Sequence, residues 1–130
     1  MEKFLYNLNS IQPSQLYISK EKLNTVLQWF DPHRDDYDPL PVKELHGTLV
    51  FTDGHTRAFA LANAGVTHCN VYKDPDDLDW HLYEHCVEWC RNEGIYSVYD
   101  LAARVIDAPQ YQILWHDRCT ALHREHGYID

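Results

Sequence analysis

Five consecutive residues, Asp53, Gly54, His55, Thr56 and Arg57, gather a carboxylate, an imidazole, a hydroxyl and a guanidinium around a glycine. A tight turn uses Asp and Gly for backbone reasons, because Asp bonds its own backbone and Gly takes positive φ without strain. It has no such use for His or Arg. The five residues follow a β-branched and aromatic stretch, 48–52, and lead into an alanine-rich stretch, 56–64, that closes on Gly65. Strand, glycine turn and helix in that order bring the unpaired amides and the positive end of a helix to the end of a strand. Anions bind there, phosphates above all. Gly54 lets a ligand approach the backbone, the Thr56 hydroxyl can donate to a phosphate oxygen or cap the helix, and Arg57 can offer two parallel N–H donors to one phosphate. Asp53 is a candidate Mg²⁺ ligand; it can also position Arg57 or simply shape the turn. His55 is a candidate proton-transfer group, since an unperturbed imidazole titrates near neutrality. Taken alone, the same residues also fit an ordinary turn with a solvated arginine.

The elements around this turn follow from pattern. Residues 16–18 predict a short strand, and Ser19 caps a helix whose apolar face is Leu23, Val26, Leu27 and Phe30. The stretch "DPHRDDYDPLP" holds three prolines and four aspartates, which makes it a loop. "VKELHGTLVFT" predicts a short extended piece, a turn near Gly47 and the strand 48–52. A further strand is expected over 67–72, and strand–helix–strand of this length implies a right-handed crossover with at least one parallel pair. Beyond residue 76 the pattern is helical. Asp77 or Asp79 caps a helix running to about Glu93 and ended by Gly94; Ser97 and Asp100 form a capping-box-like pair; a last helix runs from Pro109 to about His126, before Gly127. The fold class expected is α/β (α+β), a small mixed sheet with packed helices over 11–75 and a helical part over 76–130 packed on it, in a single domain over 1–130.

Composition excludes several functions. A formal charge of −9, from 20 acidic and 11 basic residues, argues against binding a nucleic-acid backbone, which draws on Lys and Arg. No apolar run reaches the roughly 18 residues of a membrane span, and residues 1–10 lack the features of a signal peptide, so a cytoplasmic protein is expected. Cys69, Cys86, Cys90 and Cys119 are scattered, which predicts reduced thiols.

From Leu16 to Tyr72 the chain resembles the ParB/sulfiredoxin-like superfamily, in versions described as ParB-like nuclease domains. The order of strand, helix, loop, "PVKEL", "GTLVFTDGHTRAFALANAG" and closing strand matches. The central motif is a Gly followed by Glu and two Arg in ParB proteins, Gly-Cys-His-Arg in sulfiredoxins, and close to Asp-Gly-His-His-Arg in ParB-like serine kinases. Gly54 and Arg57 match all three, and Asp53 and His55 match the kinase-like version. The resemblance implies that this turn binds nucleotide phosphates, with ATP, ADP or CTP as the nucleotide and Mg²⁺ beside it. It makes Glu44, near in sequence, the candidate for the catalytic glutamate. His55 standing in place of the sulfiredoxin cysteine argues against that chemistry, and Thr56 in place of the first ParB arginine argues against clamping of CTP.

Elsewhere, His116, Cys119, His123 and His126 recur at helical spacing along one flank of the last helix. They offer zinc-type ligands, but four side chains on one straight helix cannot surround an ion, so a polar flank is the simpler expectation. His81 and His85 are expected on a polar side and Cys86 and Cys90 in the core. Trp29, Trp80 and Trp89 are too dispersed for a base-stacking platform and are expected in or near the core. The function expected is binding of a nucleotide or other phosphorylated small molecule at the 53–57 turn, with phosphoryl transfer or nucleotide hydrolysis as its chemistry; the alternatives are a non-catalytic regulatory or partner-binding module and a ParB-like nuclease.

Overall fold

The computed structural model describes residues 2–125. The chain opens on strand β1 (Lys3–Asn7), which alternates exposed and half-buried side chains as a one-sided edge strand does. This strand was not expected, and it moves the start of the sheet from residue 11 to residue 3. A 3-10 turn leads to β2 (Ile11–Gln12), then β3 (Ile18–Ser19). Ser19 caps helix α1 (Lys20–Trp29) by accepting from the Lys22 amide. The predicted apolar face of α1 is shallow: Leu23 and Val26 are half-buried and Leu27 is exposed, so Phe30, just past the helix, makes the deep contact.

Strands β4 (Leu40–Leu45) and β5 (Thr48–Phe51) form a hairpin. Its two loop residues, His46 and Gly47, have φ of 50° and 82°, the left-handed pair that suits the strand twist. Helix α2 (His55–Asn63) begins one residue earlier than expected and ends on Gly65, at φ 83°. The Gly65 amide reaches Ala62 O and the Val66 amide reaches Leu61 O, both at 3.1 Å, which closes the last turn. Strand β6 (His68–Lys73) follows.

The main sheet runs β1-β6-β4-β5-β2. β4 pairs parallel to β6 and antiparallel to β5, so β5 and β6 run in opposite directions with β4 between them. The expected parallel crossover through α2 is therefore absent. Its cause is β4: the stretch read as a short extended piece is a six-residue strand that takes the neighbouring position for itself. The parallel pairs are β4 with β6 and β2 with β5.

Helix α3 (Trp80–Asn92) is capped by Asp79 and followed by Gly94 at φ 79°. The Ser97–Asp100 capping box forms, although it opens a 3-10 segment (Val98–Arg104) rather than an α-helix. Strand β7 (Val105–Ile106) pairs parallel with β3 and fastens the C-terminal part to the front of the chain. The last helix is one run of α4 (Ala108–Tyr111), a π turn (Gln112–His116) and α5 (Asp117–Glu125). Its expected end at His126 and Gly127 lies outside the described residues.

One cluster of buried side chains extends from Leu8 and Ile11 through Leu40, Phe51 and Leu61 to Trp115. Each fully buried aliphatic side chain in it contributes about 1.5–3 kcal/mol. No helix among the described residues is long and apolar enough to cross a membrane.

Candidate phosphate site at the start of the second helix

Thr52, the first residue past β5, is held by three hydrogen bonds. Its amide donates to Pro41 O at 3.1 Å, its hydroxyl donates to Asp74 Oδ2 at 2.7 Å, and its carbonyl accepts from the Tyr83 hydroxyl at 3.0 Å. The chain can then leave the strand in only one direction. Gly54 takes φ 77° and stands as the N-cap of α2, where a Cβ would lie 3.0 Å from the Leu40 side chain. The Gly54 amide donates to Asp53 Oδ1 at 2.8 Å.

No side chain caps α2, and its first internal bond is Ala58 N to Gly54 O at 2.9 Å. Among the described residues, the amides of His55, Thr56 and Arg57 have no acceptor. Arg57 is half-buried and donates through Nη1 to the Asp38 carbonyl at 2.8 Å. Its Nη2 lies 3.4 Å from the point where a Gly54 Cβ would stand. Three open amides and a guanidinium held by a neutral carbonyl therefore share one end of the helix. An oxyanion placed there meets hydrogen-bond donors and the positive end of the helix dipole together. Thr56 is half-buried in the same turn.

His55 departs from its expected role. Its ring is buried, packs edge-on against Phe51 at 5.8 Å, and accepts at Nε2 from the Ser14 amide at 3.0 Å. Accepting there requires a neutral ring with its proton on Nδ1. Burial pushes the His55 pKa down to about 4, and the nearby Asp53 carboxylate offsets this only in part. His55 is thus a neutral tether between the β2–β3 segment and the helix start, and only its backbone amide belongs to the open start of α2. Ser14 completes the tether, donating from Oγ to Phe51 O at 2.7 Å.

Glu44 is also displaced from its expected place. It is exposed and pairs with Leu49 near the hairpin end of β4, about 13 Å of strand from Asp53. Asp53, Gly54, Thr56 and Arg57 remain together. For Mg²⁺, the described residues contain no group of three His, Cys, Asp or Glu side chains placed to hold an ion. Asp53 alone fits a Mg²⁺ that arrives on phosphate oxygens, since such ions keep waters and take one or two protein carboxylates. The His116, Cys119, His123 flank does not converge either: His116 packs on the Tyr111 ring at 5.0 Å, whereas His123 lines a cavity of about 300 Å³ with Asp53, His55 and Tyr83. His126 lies outside the described residues. All four cysteines are free, with burial pushing Cys69, Cys86 and Cys90 up to about 12 and Cys119 to about 11.

Sequence reasoning missed Ser14, Asp38, Asp74 and Tyr83, which aim the turn. Each lies 15 or more residues from Asp53, and no local spacing connects them.

No protein-family model matches the chain, and no curated protein matches it. Among solved structures it is similar to the protein Atu1540 from Agrobacterium tumefaciens, with a TM-score of 0.52 and 16% identity over 78% of this chain and 61% of that one. At this identity the likeness concerns the fold, and the chain spans less than two thirds of that protein's length.

Proposed function

We propose that this chain binds the phosphate of a nucleotide or another phosphorylated small molecule at the 53–57 turn. The observation that carries this reading is the uncapped start of α2, three open amides with the Arg57 guanidinium beside them. The resemblance of the Asp53-Gly54-His55-Thr56-Arg57 stretch to ParB-like kinases points the same way. Mg²⁺ would ride on the phosphate oxygens with Asp53 as its protein ligand and would neutralise their charge; Arg57 and the helix amides orient and bind those oxygens.

A second reading, binding without turnover, is favoured by a specific observation. Of the three groups expected to do chemistry, Glu44 lies at the far end of its strand and His55 is neutral and tethered. Asp53 alone of the three is left, and its Oδ1 already accepts from the Gly54 amide, whereas phosphoryl transfer calls for a carboxylate aimed at the nucleophile. Regulation or partner binding through a bound phosphate needs no such group.

Melting the protein with ATP, ADP, CTP and GTP at millimolar concentration, with and without Mg²⁺, tests the first reading. A ligand at 100 times its Kd stabilises by about 2.7 kcal/mol, so at least one nucleotide should raise Tm by several degrees. Arg57→Ala should remove most of that rise. Absence of any shift, or an equal shift in the variant, rejects the seat. Phosphate release measured on the nucleotide that binds then separates turnover from binding alone.

A further inference from the structure

Arg57 also walls an open cavity of about 780 Å³, lined by the rings of Trp29, Phe30 and Tyr37, by Arg34 and by the acidic residues Asp31, Asp36 and Asp38. Its floor is fixed. Phe30 is 4% exposed and meets the Tyr37 ring edge-on at 5.4 Å, and the Tyr37 hydroxyl accepts from the Asn70 amide at 2.9 Å. Trp29 stands on that floor, 5.9 Å from the Phe30 ring, yet it is 65% exposed. The sequence placed it in or near the core, and the structure does not. An indole left largely in water forgoes the apolar burial that makes tryptophan worth having in a fold. Arg57 belongs to both places, since it walls this cavity and holds the Asp38 carbonyl beside the open amides of α2.

We propose that this cavity is the base subsite of a nucleotide whose phosphates occupy the start of α2, with the Trp29 indole as the stacking surface. The inference rests on the phosphate reading above and narrows its ligand from any phosphorylated small molecule to a nucleotide. Every nucleobase has a π-face that an exposed indole accepts. Phosphates on the α2 amides put the base within reach of the cavity that Arg57 walls, and of the three rings lining it Trp29 is the exposed one. A sugar phosphate or inorganic phosphate leaves the indole bare.

Calorimetric titration of ATP, CTP, GTP and inorganic tripolyphosphate, all with Mg²⁺, into wild type, Trp29→Ala, Trp29→Phe and Arg57→Ala decides the matter. At least one nucleotide should bind wild type about 10-fold or more tighter than tripolyphosphate, the size of one base–aromatic stack. Trp29→Ala should erase that margin and leave tripolyphosphate binding unchanged, and Trp29→Phe should keep most of it. Because Trp29 is exposed, its removal leaves the core intact, which the melting curve of the variant verifies. Equal affinity of nucleotides and tripolyphosphate for wild type, or an equal loss for both in Trp29→Ala, overturns the base subsite while the phosphate seat stands. If Arg57→Ala leaves every ligand unaffected, or no ligand binds wild type, the seat falls and the subsite falls with it.

Discussion

Helices α2 and α3 begin at one cavity, which Asp53 and Asp79 both line, and are finished in opposite ways. At α3 the Asp79 carboxylate accepts from the His81 and Leu82 amides at 3.2 and 3.3 Å, so the chain completes its own helix. Helices α1 and α4 are likewise capped, by Ser19 and Asp107. At α2 the cap is a glycine, and the one carboxylate in reach, Asp53, bonds the Gly54 amide instead of those farther in. A glycine in place of a side-chain cap costs a few tenths of a kcal/mol. The cost is tolerated because α2 is placed by contacts from outside: three bonds on Thr52, and the Ser14–His55 bond that draws the first helical residue inward. A helix aimed by its surroundings can leave its amides open, whereas a helix aimed by its cap cannot.

The largest expected effect breaks the outside tether. His55 has a folded-state pKa of about 4 against an ordinary 6.5. A depressed pKa means that the unfolded chain takes the proton first. The stability is present above pH 6.5 and drains away as pH falls from 6.5 to 4. With 1.36 kcal/mol per unit, the loss reaches about 3 kcal/mol. In metal-free buffer, His55→Gln should melt lower than wild type at pH 7.5 but lose less stability on acidification to pH 4.5. Parallel pH profiles for the two proteins would mean that the ring is not held neutral.

The cap at α3 was legible in the sequence, and the tether at α2 was not, for a physical reason. Asp79 and Leu82 are near in the chain, and the same short-range geometry makes Ser19, Gly65, Gly94 and the Ser97–Asp100 box readable. The hairpin turn at Gly47 and the glycine turn at Gly54 follow from the same rules. Contacts such as Ser14 to His55 or Tyr83 to Thr52 depend on how distant elements meet, which residue type and spacing do not encode. That is why His55 read as a proton carrier and emerged as a buried acceptor. The crossover through α2 failed for a related reason, although the expected parallel pairing is present: whether β6 pairs with β5 or β4 is decided across the whole sheet. Trp29 misled because apolar type argues for burial, and only the fold reveals that the end of α1 runs past the core.

Two smaller substitutions sharpen the contrast between the helix starts. Gly54→Ala forces a side chain into φ 77° and against Leu40, which should cost about 1–2 kcal/mol in denaturant unfolding. Because the left-handed residue also sets the α2 amides, phosphate affinity should fall in the same variant. Asp79→Ala removes the α3 cap and should cost about 1 kcal/mol without changing phosphate affinity. Equal effects of the two changes on ligand binding would erase the distinction between an open start and a closed one.

The smallest effect has the most telling sign. The Asp53 carboxylate sits at the positive end of α2, where a negative side chain stabilises a helix by about 0.3–1 kcal/mol. There it competes with any incoming anion for the same field, while on the proposed reading it would serve as the protein ligand of Mg²⁺. Asp53→Asn keeps an oxygen that can accept from the Gly54 amide and removes the charge. Its Tm should fall by no more than a few degrees. Without Mg²⁺ its affinity for phosphate should rise a few-fold, because a repelling charge has gone. With Mg²⁺ the advantage should vanish or reverse, because the metal has lost its carboxylate. A variant that binds phosphate more weakly both with and without the metal would assign Asp53 to holding the shape of the turn, and would leave the α2 amides and Arg57 to bind the anion alone.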